Sequence, residues 1–278
     1  MSMKALRAAL CLACALYLMP AGAAGDPSGD TEVWRTVQAT LFAGRQVVES
    51  SDVIEIDAPF RAEDAAVVPV GLRAKIDQTP DYHITRMWLL IDGNPTPVAA
   101  AFTLSPEAGR ADIDTRVRVE QYTWMRAVAE TSDGKLHVSS KYVRAAGGCS
   151  APAGKDLEAA MARLGKMKLR VDGESAEGQT STATLMVSHP NLNGMQMDQV
   201  TRLYTPARFV RHMEVSYAGR LLLSADVDFA LSENPQLRFH FRPGDAGGEL
   251  LAKVVDSDDL TFTQTLAIRP GERAGMRE

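Results

Sequence analysis

The chain is poor in cysteine: its 278 residues contain three, Cys11, Cys14 and Cys149. A scaffold held by disulfides needs a denser, paired set, so that class is excluded. Histidine is also sparse. His83, His137, His189, His212 and His240 are scattered, and no two have the i, i+4 or short-loop spacing of a metal site. No glycine-rich loop has dinucleotide or phosphate spacing, and Gly173 to Gly178 does not match the serine-hydrolase elbow. Asp256, Asp258 and Asp259 lack the glycine and distal glutamate of a calcium loop and read as a solvated turn. These absences predict a protein that is not an enzyme and carries no metal or organic cofactor. There is no excess of positive charge either, with 30 Lys and Arg against 35 Asp and Glu. A mildly acidic surface offers no footprint for nucleic acid or anionic lipid.

Long apolar runs are missing beyond the first twenty residues, which predicts no membrane span. Those first residues have the pattern of a secretory signal. Lys4 and Arg7 precede an apolar run from Ala8 to Met19, and Pro20-Ala21-Gly22-Ala23-Ala24 supplies small residues for cleavage. Removing residues 1–24 takes away Lys4, Arg7 and no acid, moving the formal charge from -5 to -7. It also takes away Cys11 and Cys14. The expected product is an exported, periplasmic protein with one thiol, Cys149.

The rest of the chain alternates with period two. After a short helix expected over 34–43, Ile54 and Ile56 alternate with Glu55 and Asp57, and Val68, Val70, Leu72 and Ala74 with a face that carries Arg73 and Lys75. Met87 to Ile91 is an apolar run stopped by Asp92-Gly93-Asn94-Pro95. Ile113, Val117 and Val119 alternate with Asp114, Arg116, Arg118 and Glu120, which are expected on the outer face. An Asp133-Gly134 turn joins two further strands. Seven or so short strands at this spacing suggest an immunoglobulin-like sandwich. A helix expected over 155–164, with Leu157, Ala160, Met161 and Leu164 on one face, leads to a second all-β half. Strands there are expected near 167–171, 183–188, 208–217, 220–226, 236–241, 249–256 and 260–268.

Between the halves lies Gly147-Gly148-Cys149-Ser150-Ala151-Pro152. Two glycines and small neighbours predict a mobile, reachable thiol rather than a buried one, with Gly147 and Gly148 as its hinge. An unpaired thiol in an oxidising compartment is exposed to mixed disulfides and overoxidation, so in an exported protein Cys149 is either buried, used or tolerated, and its glycine-flanked setting argues against burial. The loop from His189-Pro190 to Gly194 is turn-rich, and His189 is a candidate contact residue within it.

This layout resembles the SoxYZ sulfur carriers, whose SoxY part bears intermediates on a cysteine in a Gly-Gly-Cys-Gly-Gly arm. The first half is similar to SoxY through Gly147-Gly148-Cys149 after its last strand. The second is similar to SoxZ through His189-Pro190 to Gly194, the Val210 to Leu223 hairpin and Ser232-Glu233-Asn234-Pro235 with Phe239-His240-Phe241. The likeness is closest to the fused, single-chain variety associated with quinoprotein dehydrogenases.

The resemblance implies two immunoglobulin-like sandwiches joined by a short helix and paired within the chain. Residues 30–146 would be the SoxY-like sandwich, 147–165 the cysteine-bearing linker and helix, 166–269 the SoxZ-like sandwich and 270–278 a tail. It implies a non-catalytic periplasmic carrier of a sulfur-containing intermediate, as in thiosulfate oxidation. Cys149 would be the covalent attachment point. The partners would be a c-type cytochrome, a quinoprotein dehydrogenase or sulfur-oxidising enzymes. The alternative is an assembly module for such enzymes with no covalent cargo. The chain departs from the two-chain carriers in two ways: its cysteine arm is internal, and Ser150-Ala151 replace the trailing glycines.

Overall fold

The structure is a computed structural model that describes residues 29–151, 157–172, 179–197, 202–244 and 246–269. The expected signal segment 1–24 and tail 270–278 lie outside the described residues, as do Gly173 to Gly178. Fifteen strands are described. In the first half these are β1 Val47–Glu49, β2 Ile54–Asp57, β3 Val68–Ala74, β4 Ile84–Ile91, β5 Val98–Leu104, β6 Ile113–Val117, β7 Thr123–Thr131 and β8 Leu136–Val143. The second half has β9 Met167–Asp172, β10 Ser181–Val187, β11 Val210–Tyr217, β12 Arg220–Val227, β13 Gln236–Phe241, β14 Gly248–Asp256 and β15 Thr261–Ile268.

The period-two pattern is realised as expected. In β3, Val68, Val70, Leu72 and Ala74 are buried while Pro69 is exposed and Arg73 half-exposed. Strand β4 is apolar on both faces because both are covered. Met87, Leu89 and Ile91 face the main core, while Trp88 and Leu90 face a smaller cluster under helix α1, Glu32–Thr40. That helix contributes Trp34 and Val37, and Phe42 packs edge-on to Trp88 at 5.2 Å between ring centroids. It starts at Glu32 rather than Trp34 because Thr31 caps it, the Thr31 hydroxyl oxygen accepting the Trp34 N–H at 3.0 Å. The same hydroxyl donates to Asp92 at 2.6 Å, and Asp92 is paired with the buried Arg126.

The strands form two sheets. One has the order β1-β8-β7-β4-β5-β12-β11-β14-β15 and the other β2-β3-β6-β13-β10-β9. In each, first-half strands occupy one end and second-half strands the other. Two β-sandwiches therefore lie edge to edge and share both sheets. The seam is antiparallel pairing of Ala100 to Leu104 in β5 with Leu223 to Val227 in β12, and of Asp114 in β6 with Arg238 in β13. One core runs through it, joining Phe102 and Ile113 to Leu223 and Phe239.

The linking helix α2, Leu157–Ala162, ends two residues before the expected 164 and has no buried residue; Lys155 and Asp156, where it was expected to start, lie outside the described residues. Its apolar stripe is half-exposed, with Met161 exposed, because the seam rather than the helix holds the halves together. Arg118 also departs from expectation. Strand β6 stops at Val117, and Arg118 turns into the seam, where it is 3% exposed.

Candidate functional site

The site is built on the three residues after β6. The N–H of Arg118 donates to Ala230 O at 2.7 Å and that of Val119 to Ala65 O at 2.9 Å. The N–H of Glu120 donates to Asn94 Oδ1 at 2.9 Å. The carbonyls of Val119 and Glu120 remain for the cysteine arm. Gly148 N–H donates to Val119 O at 3.0 Å and Gly147 N–H to Glu120 O at 2.8 Å. The two glycines serve different purposes. Gly147 has φ +81°, a region that disfavours side chains. Gly148 lies flat on backbone: a Cβ there would overlap the Ala65 carbonyl oxygen and come within 2.5 Å of the Ala65 carbonyl carbon and 2.8 Å of Val119 N.

Beyond the glycines, the Glu120 carboxylate gathers the arm. Its Oε2 accepts the N–H of Cys149 at 2.9 Å and of Ser150 at 3.2 Å, and its Oε1 accepts the Ser150 hydroxyl at 3.1 Å. The second half closes the other side, with Asn193 Nδ2 donating to Cys149 O at 2.7 Å. Arg118 lies across the seam and donates through Nη1 to the carbonyls of Asn191 at 2.9 Å, Phe229 at 3.2 Å and Leu231 at 2.5 Å.

Cys149 is consequently 0% exposed, which corrects the expectation of a reachable thiol. The glycines that were expected to free the arm instead let its backbone lie against Val119 and Ala65. Burial, helped by the Glu120 carboxylate and Asp228, pushes the thiol from its ordinary 9.0 up to about 11, although the Arg118 charge acts the other way. Docked, the sulfur is a protonated, unreactive thiol. Burial likewise holds the Arg118 guanidinium below the usual arginine range, with Cys149 and Glu233 opposing.

His189 is 1% exposed, so in this conformation it is not a surface contact of its loop. Its Nδ1 accepts the Asn191 N–H at 3.0 Å, and Nε2 lies 3.6 Å from a carboxylate oxygen of the buried Asp256, beyond hydrogen-bond distance. Burial lowers its basicity, with Asp256 opposing. It shapes the loop that supplies Asn191 and Asn193. The acidic turn is only partly solvated, since Asp256 is buried and bonded by Arg208 at 3.1 and 3.2 Å. Among the described residues no group of three or more His, Cys, Asp or Glu side chains is arranged to hold a metal ion, and no helix is long and apolar enough to cross a membrane.

Glu120, Arg118 and Asn193 were not singled out as site residues from the sequence. Arg118 and Glu120 fit the outward half of an alternating strand, and Asn193 sits in an ordinary turn-rich stretch. The one available signal was Gly148, since a glycine beside a functional residue marks close approach as readily as mobility.

Comparison with known proteins finds two family matches in the chain. Residues 38–149 match the family "Sulfur oxidation protein SoxY", a match that ends on Cys149, and residues 169–267 match "Sulphur oxidation protein SoxZ". Similar solved structures include the sulfur carrier protein SoxY from Chlorobium limicola f thiosulfatophilum, at 25% identity and TM-score 0.34, covering 40% of this chain and 94% of that one. A putative superoxide reductase from Thermotoga maritima is 16% identical at TM-score 0.31, covering 36% of this chain and 92% of that one. The superoxide reductase (neelaredoxin) of Ignicoccus hospitalis is 12% identical at TM-score 0.31, covering 40% and 89%. The search of curated proteins found no match.

Proposed function

The chain belongs to the SoxYZ-type sulfur-oxidation carriers, with the SoxY and SoxZ families fused in one polypeptide, and from that premise we propose that Cys149 is the covalent attachment point for a sulfur-containing intermediate in the periplasm. The observation that carries this reading is the placement of Cys149. It is the sole cysteine after residue 14, and both halves of the molecule contribute hydrogen bonds to the arm that bears it.

The docked thiol is the resting state. Loading requires the arm to lift from Glu120 and Asn193 so that the sulfur reaches water and ionises near its ordinary value. The freed thiolate then attacks a donor S–S bond, forming a new S–S bond and expelling the donor's other sulfur as a thiolate. With a thiol donor, joining the two sulfurs releases two protons and two electrons, and a redox partner such as a c-type cytochrome or a quinoprotein dehydrogenase takes the electrons. Gly147 is the hinge of this motion, and Gly148 the residue that lets the arm return flush.

The test is the intact mass of protein exported by its native host and purified without reductant, beside a Cys149→Ser variant. A reductant-removable increment on the wild type that is missing from the variant supports the carrier reading. The burial of Cys149 favours a second reading, an assembly module for a redox enzyme with no cargo. A bare thiol in cells growing on reduced sulfur compounds, with unimpaired growth of the Cys149→Ser strain, would decide for it.

A further inference from the structure

The Glu120 side chain is committed to the arm. Among the described residues, every hydrogen bond its carboxylate accepts comes from Cys149 or Ser150, and it forms no ion pair with Lys, Arg or His. Its backbone N–H is fixed independently of the arm by Asn94, while its carbonyl accepts Gly147 at the start of the arm. The carboxylate lies at the base of the arm, half-buried, beside Ser150, which is exposed. Hydrogen bonds to an ionised acceptor are about twice as strong as neutral ones, so this one residue supplies much of the docking.

An anion held beside a buried thiol also opposes a second negative charge there. The charged groups that act on Cys149 are Glu120, Asp228 and the opposing Arg118. Glu120 is the only one of them whose side chain holds the arm.

We propose that Glu120 is a positioning residue of the carrier: its carboxylate, with the Ser150 hydroxyl, clamps the empty arm in the seam and keeps the Cys149 sulfur protonated until the arm is lifted. The inference rests on the carrier reading for its purpose.

The experiment measures iodoacetamide alkylation of Cys149 in the empty full chain from pH 6 to about pH 12, so that the range spans a midpoint near 11, followed at that residue by peptide mass mapping. Wild type, Glu120→Gln and Ser150→Ala are compared, with wild type in denaturant as the free-thiol ceiling. A thiol titrating near 11 instead of 9.0 has about a hundredfold less thiolate at pH 8, which bounds the effect. Glu120→Gln keeps an acceptor but no charge. It is expected to move the midpoint of the rate–pH curve toward the ordinary thiol value and to raise the rate at pH 8 several-fold. Ser150→Ala keeps the charge and loses one bond of the arm, so it is expected to raise the rate at pH 8 and to lower the midpoint, each by less than Glu120→Gln does.

An unchanged curve for both variants overturns the clamp. A midpoint shift in Glu120→Gln no larger than that in Ser150→Ala reduces Glu120 to a structural bond and overturns its electrostatic part. If Glu120→Gln does not fold, Ser150→Ala decides alone, and an unaltered rate counts against the clamp. The assay uses no cargo and no partner, so its failure leaves the carrier reading intact, and a bare thiol in the mass experiment leaves the clamp intact.

Discussion

Gly148→Ala is the most direct perturbation of the dock. The added methyl group would overlap the Ala65 carbonyl, and both crowded neighbours are backbone atoms bonded to each other, Val119 N–H to Ala65 O at 2.9 Å. No side chain can rotate away to relieve the overlap. Either the Ala65–Val119 pairing opens or the arm lifts, and the arm is the freer of the two. Overpacking of this kind costs roughly 1–3 kcal/mol. If that falls on the docking equilibrium, the lifted fraction rises roughly 5- to 160-fold.

Gly147→Ala is the control, because its Cβ would meet only Ser150 Oγ, at 3.9 Å. Its penalty is the left-handed backbone alone, about 1–2 kcal/mol. Alkylation of Cys149 at pH 8, with urea unfolding of each variant, reads both effects. Gly148→Ala should react fastest, Gly147→Ala next and wild type slowest. If Gly148→Ala alkylates at the wild-type rate with wild-type stability, or if Gly147→Ala is the more disruptive, the two glycines have been assigned the wrong roles.

Three further outcomes are expected. Arg118→Met leaves the carbonyls of Asn191 and Phe229 without their donor, Leu231 O keeping Asn191 Nδ2, and should lower stability by about 2–4 kcal/mol in urea; a change under about half a kcal/mol would mean that water or a neighbour satisfies them. Asp92→Asn breaks its buried pair with Arg126 and weakens the hold on Thr31, with an expected loss of about 3–5 kcal/mol and altered Trp34 fluorescence. Below pH 6.5 the unfolded chain takes up a proton on His189 before the folded chain does, because burial depresses the folded value. Stability fully present above pH 6.5 is therefore lost progressively as pH falls below it. His189→Gln should flatten part of that slope, with His137 and His240 contributing the rest; an unaltered slope would argue against His189.

Most strands were legible because each depends on its own alternation. Val68 to Ala74 reads as a half-buried strand wherever it is placed. The seam was not legible, because pairing of Ala101 with Asp226 is a register between residues far apart in the chain, and neither segment carries a sign of its partner. The dock was lost for a related reason. Polar residues such as Arg118 and Glu120 look solvent-facing until something arrives to cover them, here Asn191, Phe229 and Leu231 over Arg118, and Cys149 and Ser150 over Glu120. Cys149 was legible as the residue of interest but not as a buried one, since small neighbours permit both a free arm and a closely laid one.

The shared sheets also bear on copy number. A carrier assembled from separate polypeptides obeys mass action, so its working fraction falls as its components become dilute. Here the halves meet by a unimolecular step, and the fraction with an intact seam is the same in a cell holding ten copies as in one holding ten thousand. Production of the halves in equal amounts needs no regulation, because one reading frame delivers both. Such a carrier suits a pathway run at low abundance, where a two-part carrier would spend much of its time apart.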